Sequence, residues 1–550
     1  MAYIWHSAAK SAWGLGLGSS GDVVKLVEHS ARDSFTLFVG DFSSAALLAV
    51  SSIVVARLLG PEDYGVYSIS FVAPALLISL VGLGLDAAAI RFPAKYIAEG
   101  RGRIASKFIG MVLAFRLTSG LAASLICLLL SDFMAGALLD RPGIAPYVRL
   151  LSILILFETL FSLLYSLFVG LNSSRYASIL KVLMASFKGI VTPLLVFLGF
   201  GVYGALIGHV IGYVVPSIVG LLMLYSHHYR RLNPSPGMVG FSGDRDGSGC
   251  FLEIVRFSMP LYGSSLLTLL LGNYQAILLA RFSSDAEVGF FRAAVNISTI
   301  LTVVTSPILT ALFPAFSKLD SHGLREKIEE FLNLSVRYSS LIVVPLAALI
   351  ASTSNHLVDV VYGARYALAG GYLAFYSVIH MLIGLGSGIF GSFFNGVGET
   401  GLTLRLNIIS LAVFVAIAPF LAYLYGVFGV IGSLLISNLI STLYAYELAK
   451  RKLSVRLNLS ISAKIYVSSM LSAAPAVFLA LCVDLPSIVS LMVCSVAYVV
   501  SYLTLAPLLR AVGREDLINL ERIFSGVKPL KPMVRLIARY ERKVLGWLNA

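Results

Sequence analysis

Long apolar runs alternate with short polar connections along almost the whole chain. Each run covers roughly 20 residues, the length that a helix needs to cross the hydrocarbon core of a bilayer. The short alternating strands of a membrane barrel are not seen, and helices satisfy their own backbone hydrogen bonds in lipid. The pattern predicts an all-α polytopic membrane protein with about 14 spans, approximately at 35–58, 65–90, 107–130, 146–169, 178–199, 202–226, 257–281, 288–313, 331–352, 370–394, 403–423, 426–448, 465–484 and 487–509.

Composition supports this interpretation. Of 550 residues, 58% are hydrophobic and only 13% are charged, with a mean hydropathy of +0.89. No soluble fold can bury that much apolar surface. The net charge of +13 does not indicate nucleic-acid binding, because the basic residues cluster in alternate connections. By the positive-inside rule we expect both termini to be cytoplasmic, as an even number of spans requires.

The terminal segments lie outside the predicted spans. Residues 1–34 lack a small-residue cleavage pattern, so we expect a retained cytoplasmic lead. Residues 510–550 form a basic cytoplasmic tail. The tail is interpreted either as a solvated surface segment attracted to anionic headgroups or as a partner-binding segment.

Three short motifs recur in the same order in the second half of the chain. ARLLGPEDYGVY (56–67) aligns without a gap with ARFSSDAEVGFF (280–291), RFPA at Arg91 with LFPA at Leu312, and GVYG at Gly201 with GVFG at Gly426. The offsets are about 224, 221 and 225 residues, and six spans separate the copies. An even number of spans gives both copies the same orientation, an architecture of transporters that hold substrate between repeats near the midplane.

The repeat predicts the domain organisation. Two parallel six-helix lobes, residues 35–226 and 257–448, are joined by a Gly-, Pro- and Ser-containing cytoplasmic linker, residues 227–256. Two additional helices follow within residues 449–509.

The acidic pair Glu62 and Asp63 in GPEDYG has two interpretations. The pair could act as catalytic acids. The alternative is a helix start, in which Pro61 occupies the first position and the carboxylates satisfy free N–H groups of the first turn. The second copy keeps an acidic residue in this turn but not the pair, so we favour the helix start.

ARLLGPEDYGVYS after the first span resembles the signature of Wzx-type oligosaccharide flippases of the MOP superfamily, which also includes multidrug antiporters. The FPA elements and FFNGVGETG (Phe393–Gly401) are similar to further features of that family. The resemblance covers about residues 35–510. It implies a V-shaped central cavity between the lobes and transfer of undecaprenyl- or dolichyl-phosphate-linked sugars from the inner to the outer leaflet. The family offers no invariant active site to carry over.

Charged residues deep in spans are costly and face cavities or partners. Arg116 and Lys188 lie well inside their spans and are our candidates for binding the phosphate of a lipid-linked glycan. The alternative is that they only neutralise Asp41 and Glu158, which are themselves candidates for ion coupling. Three arginines nearer the outer ends are candidates for release-side contacts: Arg57, Arg281 and Arg292.

Two other functions occur among polytopic membrane proteins of this size. A polytopic glycosyltransferase or polymerase needs acidic residues on substantial outer loops, and the outer connections here are short. A MATE-like multidrug or cation antiporter usually has 12 spans and a cavity suited to cations. We therefore predict a flippase in the cell membrane that works by alternating access, with membrane lipids and glycan polymerases or transferases as its partners. No metal or cofactor is expected, because the four cysteines lack ligand spacing.

Overall fold

The computed structural model describes residues 20–82, 84–229, 266–267, 269–321, 325–483, 485–524 and 531–548. Within these ranges the chain is helical and contains no β-strand, as the apolar pattern predicts. The chain divides into an N-terminal unit that ends at Gly289 and a C-terminal unit that begins at Phe290. Most of the predicted linker, residues 230–256, lies outside the described residues, so its role stays a prediction.

The N-terminal unit is built from seven labelled helices and the start of an eighth. They are α1 (Ser20–Ser70), α2 (Val72–Val81), α3 (Leu85–Ala98), α4 (Gly102–Leu129), α5 (Ala145–Gly170), α6 (Ser174–Leu195) and α7 (Gly201–Met223). Residues 269–282 form a further helix, and α8 (Asp285–Ser321) begins within this unit. Phenylalanines and leucines of α3, α4 and α5, such as Phe92, Phe108 and Leu164, form the core.

The C-terminal unit continues α8 and adds nine helices. They are α9 (Arg325–Ser352), α10 (Ser354–Tyr362), α11 (Ala369–Met381), α12 (Ile389–Gly396), α13 (Thr400–Leu453), α14 (Leu459–Cys482), α15 (Ser487–Leu508), α16 (Arg514–Phe524) and α17 (Lys531–Leu548). The predicted tail thus contains two helices. They pack on the unit through an ion pair between Asp516 and Arg337 and a 2.8 Å contact between the hydroxyls of Tyr540 and Thr504.

Ten segments of the described chain are long and apolar enough to cross a membrane. Three of them run for 60, 53 and 54 residues, and each contains glycines with non-helical backbone angles: Gly60, then Gly199 and Gly201, then Gly426. Because one crossing takes about 20 residues, each long segment supplies two. The ten segments therefore amount to thirteen crossings. Of the remaining predicted span, 257–281, only the part from residue 266 is described.

The repeated GVYG and GVFG motifs adopt the same backbone turn. Gly201 has φ 52° and ψ −137°, and Gly426 has φ 55° and ψ −129°. This region of φ/ψ space is open to glycine and strained for residues that carry a Cβ. The two copies of this motif therefore share a backbone conformation as well as a sequence.

The repeated acidic motif starts helices. In the second copy, Glu287 accepts hydrogen bonds from the N–H (2.8 Å) and the hydroxyl (2.9 Å) of Ser284, whose Oγ accepts from the Glu287 N–H at 3.3 Å. This is the reciprocal capping box expected at a helix N-terminus. In the first copy the non-helical Gly60 precedes Pro61, Glu62 and Asp63. The second copy therefore begins a helix with a capping box, and the capping role of Glu62 and Asp63 stays a prediction.

Candidate functional site

One face of the largely apolar helix α5 carries three polar side chains that hydrogen-bond to other helices. Glu158, Ser162 and Tyr165 are spaced so that they lie on one face, over about 10 Å of helix. Tyr165 and Ser162 hydrogen-bond to the carboxylates of Asp41 and Asp86, and Glu158 hydrogen-bonds to the hydroxyl of Tyr213. We call these six residues the polar stripe, together with the neighbouring groups described below: Lys181, Arg116, Lys188 and Tyr67. It gathers four of the residues predicted as functional, namely Asp41, Arg116, Glu158 and Lys188.

The first cluster of the stripe lies at Tyr165. The Asp41 carboxylate of α1 forms an ion pair of 2.6 Å with the ammonium of Lys181 on α6. The same ammonium lies 5.4 Å from the centre of the Tyr165 ring, and the Tyr165 hydroxyl lies next to Asp41. Both charged side chains remain partly exposed. Asp41, predicted to bind a coupling ion, thus has a cation of the protein beside it.

The second cluster lies where the chain breaks between α2 and α3. Arg116 of α4 is 1% exposed; its Nη2 donates to Asp86 at 2.6 Å, and its Nη1 donates to the Val81 carbonyl at 3.3 Å. Asp86 lies in the first turn of α3 and also accepts from the Ser162 hydroxyl at 2.8 Å. The left-handed Gly84, with φ 68°, separates the two helices. Arg116 therefore joins both sides of this break.

The third cluster surrounds Lys188 of α6. Its ammonium lies 5.6 Å from the centre of the Tyr213 ring, a cation–π arrangement, and the Tyr213 hydroxyl lies next to the Glu158 carboxylate. Space for the lysine depends on α7, because a Cβ on Gly212 would lie 2.5 Å from the Lys188 Cβ. Lys188, Tyr213 and Glu158 are all partly exposed.

Aromatic side chains continue the third cluster along α7. The Tyr67 hydroxyl and Nδ1 of His209 are 3.0 Å apart, and the His209 ring packs 4.4 Å from the ring of Phe71 and 5.6 Å from that of Tyr213. The hydrogen bond fixes the orientation of the imidazole. His209 is therefore part of a hydrogen bond between α1 and α7.

The three cations of the stripe differ in their partners. Arg116 and Lys181 each pair with a carboxylate at 2.6 Å. Among the described residues Lys188 forms no such ion pair; its nearest fixed partner is an aromatic ring, and Glu158 acts on it only electrostatically. An ammonium inside a span must face protein or water, since lipid would not accept it. Lys188 is thus the cation of the stripe best placed to meet an anion.

The three outer arginines do not belong to this stripe. Arg57 on α1 and Arg281 on the helix at 269–282 are exposed, whereas Arg292 on α8 lies beside Tyr376 of the C-terminal unit. Their predicted release-side role is not tested by these positions.

Sequence reasoning missed several members of the stripe: Tyr67, Asp86, Ser162, Tyr165, Lys181 and Tyr213. The signal for Asp86 is the preceding GLG, which predicts a break within an apolar run. The tyrosines carry no comparable signal, because aromatic residues are common in all the spans.

Metal ligands and thiols are the remaining groups of chemical interest in the described part of the chain. There, no group of three His, Cys, Asp or Glu side chains is arranged to hold a metal ion. Cys127, Cys482 and Cys494 are free thiols, and Cys250 lies outside the described residues.

Comparison with known proteins identifies related sequences. A family model described as "Polysaccharide biosynthesis protein" matches residues 30–320. The chain is 24% identical over 318 residues to the succinoglycan biosynthesis transport protein ExoT of Rhizobium meliloti (strain 1021), a match that covers 58% of this chain and 59% of that protein. It is 23% identical over 406 residues to the lipopolysaccharide biosynthesis protein WzxC of Escherichia coli (strain K12), with 72% and 76% covered.

Solved structures of two kinds share the fold. The lipid II flippase MurJ in an inward closed conformation has a TM-score of 0.67 at 15% identity, with 84% of this chain and 97% of that chain covered. An inward-facing multidrug resistance MATE family transporter of the MOP superfamily has a TM-score of 0.61 at 19% identity, with 74% and 94% covered. At these identities the likeness concerns the fold alone.

Proposed function

This chain belongs to the polysaccharide biosynthesis protein family, and from that premise we propose that it is a flippase for lipid-linked oligosaccharides. It moves the sugar-bearing headgroup of a polyprenyl phosphate or pyrophosphate from the inner to the outer leaflet. Relatives named as transport and lipopolysaccharide biosynthesis proteins support this function. So does the fold that the chain shares with a lipid II flippase.

The observation that carries the proposal is the ammonium of Lys188. The cargo has an apolar tail that stays in lipid and an anionic headgroup that cannot. A cation inside the membrane offsets part of the lost hydration of the phosphate, because charge-assisted hydrogen bonds to phosphate are strong. Lys188 is partly exposed and has no carboxylate ion-pair partner among the described residues. We assign it the first contact with the phosphate.

Arg116 takes a different part in this proposal. It is 1% exposed and is held by Asp86, so its charge acts on the headgroup at a distance while the Asp86 carboxylate, 39% exposed, limits that field. The outer arginines Arg57, Arg281 and Arg292 stay proposed as contacts on the release side. Transport follows alternating access, in which the site opens first to one leaflet and then to the other.

Coupling to an ion is assigned to Glu158 before Asp41. Asp41 forms an ion pair with Lys181 at 2.6 Å, which leaves little net charge to attract a cation. Glu158 has a phenol beside it and Lys188 as a more distant charge. Arrival of a phosphate at Lys188 would weaken the electrostatic attraction between Lys188 and Glu158. Proton or Na⁺ binding at Glu158 could then be linked to cargo binding.

We place the protein in the cell membrane with both termini in the cytoplasm, as the distribution of basic residues indicates. Glycan polymerases or transferases that use the flipped product are the proposed protein partners.

The test is reconstitution in liposomes with fluorescent lipid-linked oligosaccharides added to one leaflet. Wild-type protein should move them to the other leaflet, and Lys188→Ala should slow this by about a hundredfold if one charge-assisted phosphate contact of about 3 kcal/mol is lost. Lys450→Ala, at an exposed position near the end of α13, is the matched control. Unchanged flipping by the Arg116→Ala/Lys188→Ala double variant would refute the site.

The same liposomes separate the two alternatives. A cation antiporter would exchange a multidrug substrate for H⁺ or Na⁺ and ignore the glycolipid. A glycosyltransferase would change the mass of the lipid-linked glycan when given a sugar donor. We expect the glycolipid to cross unaltered.

A further inference from the structure

The two copies of the repeated acidic motif touch each other through glycines. A Cβ on Gly65 would lie 1.7 Å from the backbone oxygen of Asp285, and a Cβ on Gly289 would lie 1.9 Å from the backbone oxygen of Pro61. The Cβ on Gly65 would also lie 3.1 Å from the backbone nitrogen of Gly289, and the Cβ on Gly289 would lie 3.2 Å from the backbone nitrogen of Gly65. All four residues belong to the N-terminal unit.

This contact is reciprocal because it joins equivalent positions of the two copies of the repeat. Gly65 aligns with Gly289, and Pro61 aligns with Asp285, at the same offset in the gap-free alignment. Each glycine therefore meets the carbonyl four residues before the other, and the two helix starts cross backbone to backbone. Approach this close is available only to glycine, and it permits Cα–H···O contacts in both directions. No side-chain rotation could relieve a methyl group at either position.

A strap from another connection holds the crossing. Arg141 follows the short helical turn Met134–Leu138, between α4 and α5. Its Nε donates to the Asp285 carboxylate at 2.9 Å, and its Nη2 donates to the Ser283 carbonyl. Both side chains of this ion pair are partly exposed, at 26% and 29%. Water can therefore solvate the two charges when they separate, so the strap can open at low cost.

We propose that the Gly65/Gly289 crossing and the Arg141 strap together form a seal that must open for cargo to leave. The inference rests on the proposed function and orientation, which put these helix starts on the outer side of the membrane. In this role the glycines set how tightly the seal closes. Arg141 sets how readily it opens.

The experiment measures the accessibility of Ser283 after replacement by cysteine in a cysteine-free background. Ser283 is buried, its carbonyl accepts the Arg141 strap, and its own hydroxyl has no hydrogen-bond partner among the described residues. Ser283→Cys should therefore be well tolerated. A membrane-impermeant maleimide added from outside should react slowly with the wild-type seal. It should react about tenfold faster in Gly65→Ala or Gly289→Ala, since the added methyl favours the open state.

Arg141→Gln should give a smaller acceleration, because it removes the strap and leaves the crossing intact. Gly143→Ala is the matched control: it lies in the same connection, and a Cβ there would meet no atom within 4 Å. Thermal unfolding of each variant separates an opened seal from a damaged fold. If the two alanine variants remain folded and react at the rate of Gly143→Ala, the seal does not exist.

Flipping measured on the same variants separates this inference from the function on which it rests. If the alanine variants are labelled faster but the wild type transports no glycolipid, the proposed seal stands and the flippase function is refuted. Normal transport with no change in labelling would refute the seal and leave the function.

Discussion

The two units carry their charges in different places. In the N-terminal unit the ion pairs Asp41–Lys181 and Asp86–Arg116 lie within the spans, on one stripe. In the C-terminal unit the pair Arg337–Asp516 joins a span to the helices of the tail, and Arg451 pairs with Glu447 at the end of α13. The described intramembrane charges of the C-terminal unit are fewer, with Arg292 near the start of α8.

The backbone of the two copies differs much less than their charges. The glycines of the GVYG and GVFG turns share unusual backbone angles, and Gly65 and Gly289 make mirrored contacts. Duplication therefore preserves the turns and close crossings, which depend on glycine. The ion pairs of the polar stripe, Asp41–Lys181 and Asp86–Arg116, lie in the N-terminal unit.

The largest effect should come from removing the charge of Asp86. Asp86→Asn leaves the guanidinium of Arg116, 1% exposed, without a counter-charge, a loss of about 3–5 kcal/mol in the free energy of unfolding. Asp516→Asn in the C-terminal unit should cost about 1–2 kcal/mol, because Arg337 is 26% exposed and water can solvate it when Asp516, 1% exposed, loses its charge. Denaturation of both variants in detergent compares the two pairs.

A double variant sharpens this comparison. Asp86→Asn/Arg116→Met removes both charges and should regain most of the stability lost in Asp86→Asn alone. Equal losses for Asp86→Asn and Asp516→Asn would contradict this ranking of the two ion pairs.

The next effect is a pH dependence of the C-terminal unit. Burial, and secondly the charge of Asp516, raise the pKa of Glu541 on α17 from 4.5 to about 7. The packed tail holds this proton more tightly than an undocked tail would, so packing is most stable at low pH. That stability, about 2–3 kcal/mol, is lost as the pH rises from 4.5 through 7.

Hydrogen–deuterium exchange of α17, corrected for intrinsic exchange rates, measures the loss. Protection of Lys531–Leu548 should fall between pH 5 and pH 8 in wild type, and Glu541→Gln should remove the dependence. A tail equally protected at both pH values would show that burial of Glu541 does not govern its packing.

At Gly212 we expect a smaller effect on stability than in the variants above, together with a larger effect on transport. An alanine there places a methyl group 2.5 Å from the Lys188 Cβ. The overpacking should cost about 1–3 kcal/mol, and displacing the ammonium should slow flipping by about tenfold. Gly429→Ala in the C-terminal unit, with a Cβ 1.8 Å from the Leu421 oxygen, should destabilise without moving Lys188. Flipping per folded molecule distinguishes the two variants, and Gly110→Ala, with open space at its Cβ, is the neutral control.

The fold was largely predictable from the sequence because membrane spans and glycine turns leave local signals. Apolar runs predict the crossings, and GVYG and GVFG predict two equivalent turns. The boundary between the two units falls between Gly289 and Phe290, inside α8. A boundary within a helix has no compositional signal.

The polar stripe was predictable only in part. Asp41, Arg116, Glu158 and Lys188 were found because a charge in an apolar run is conspicuous. Their pairing depends on how α1, α4, α5 and α6 face one another, and one sequence does not encode that rotation locally. Asp86 was missed because it follows a glycine break that also resembles the end of a span.

The smallest effect is expected from a substitution that makes the two copies of the repeat alike at one position. Tyr67 aligns with Phe291, which packs edge-on against Tyr376 and has no hydroxyl. Tyr67→Phe removes the 3.0 Å contact to His209 Nδ1 and should cost about 0.5–1.5 kcal/mol in the free energy of unfolding. Flipping should slow by a few-fold, since His209 loses the bond that orients it beside Tyr213. Phe291→Tyr is the converse control and should leave flipping unchanged. A loss in Phe291→Tyr as large as that in Tyr67→Phe would mean that the C-terminal unit contributes to the chemistry as directly as the polar stripe.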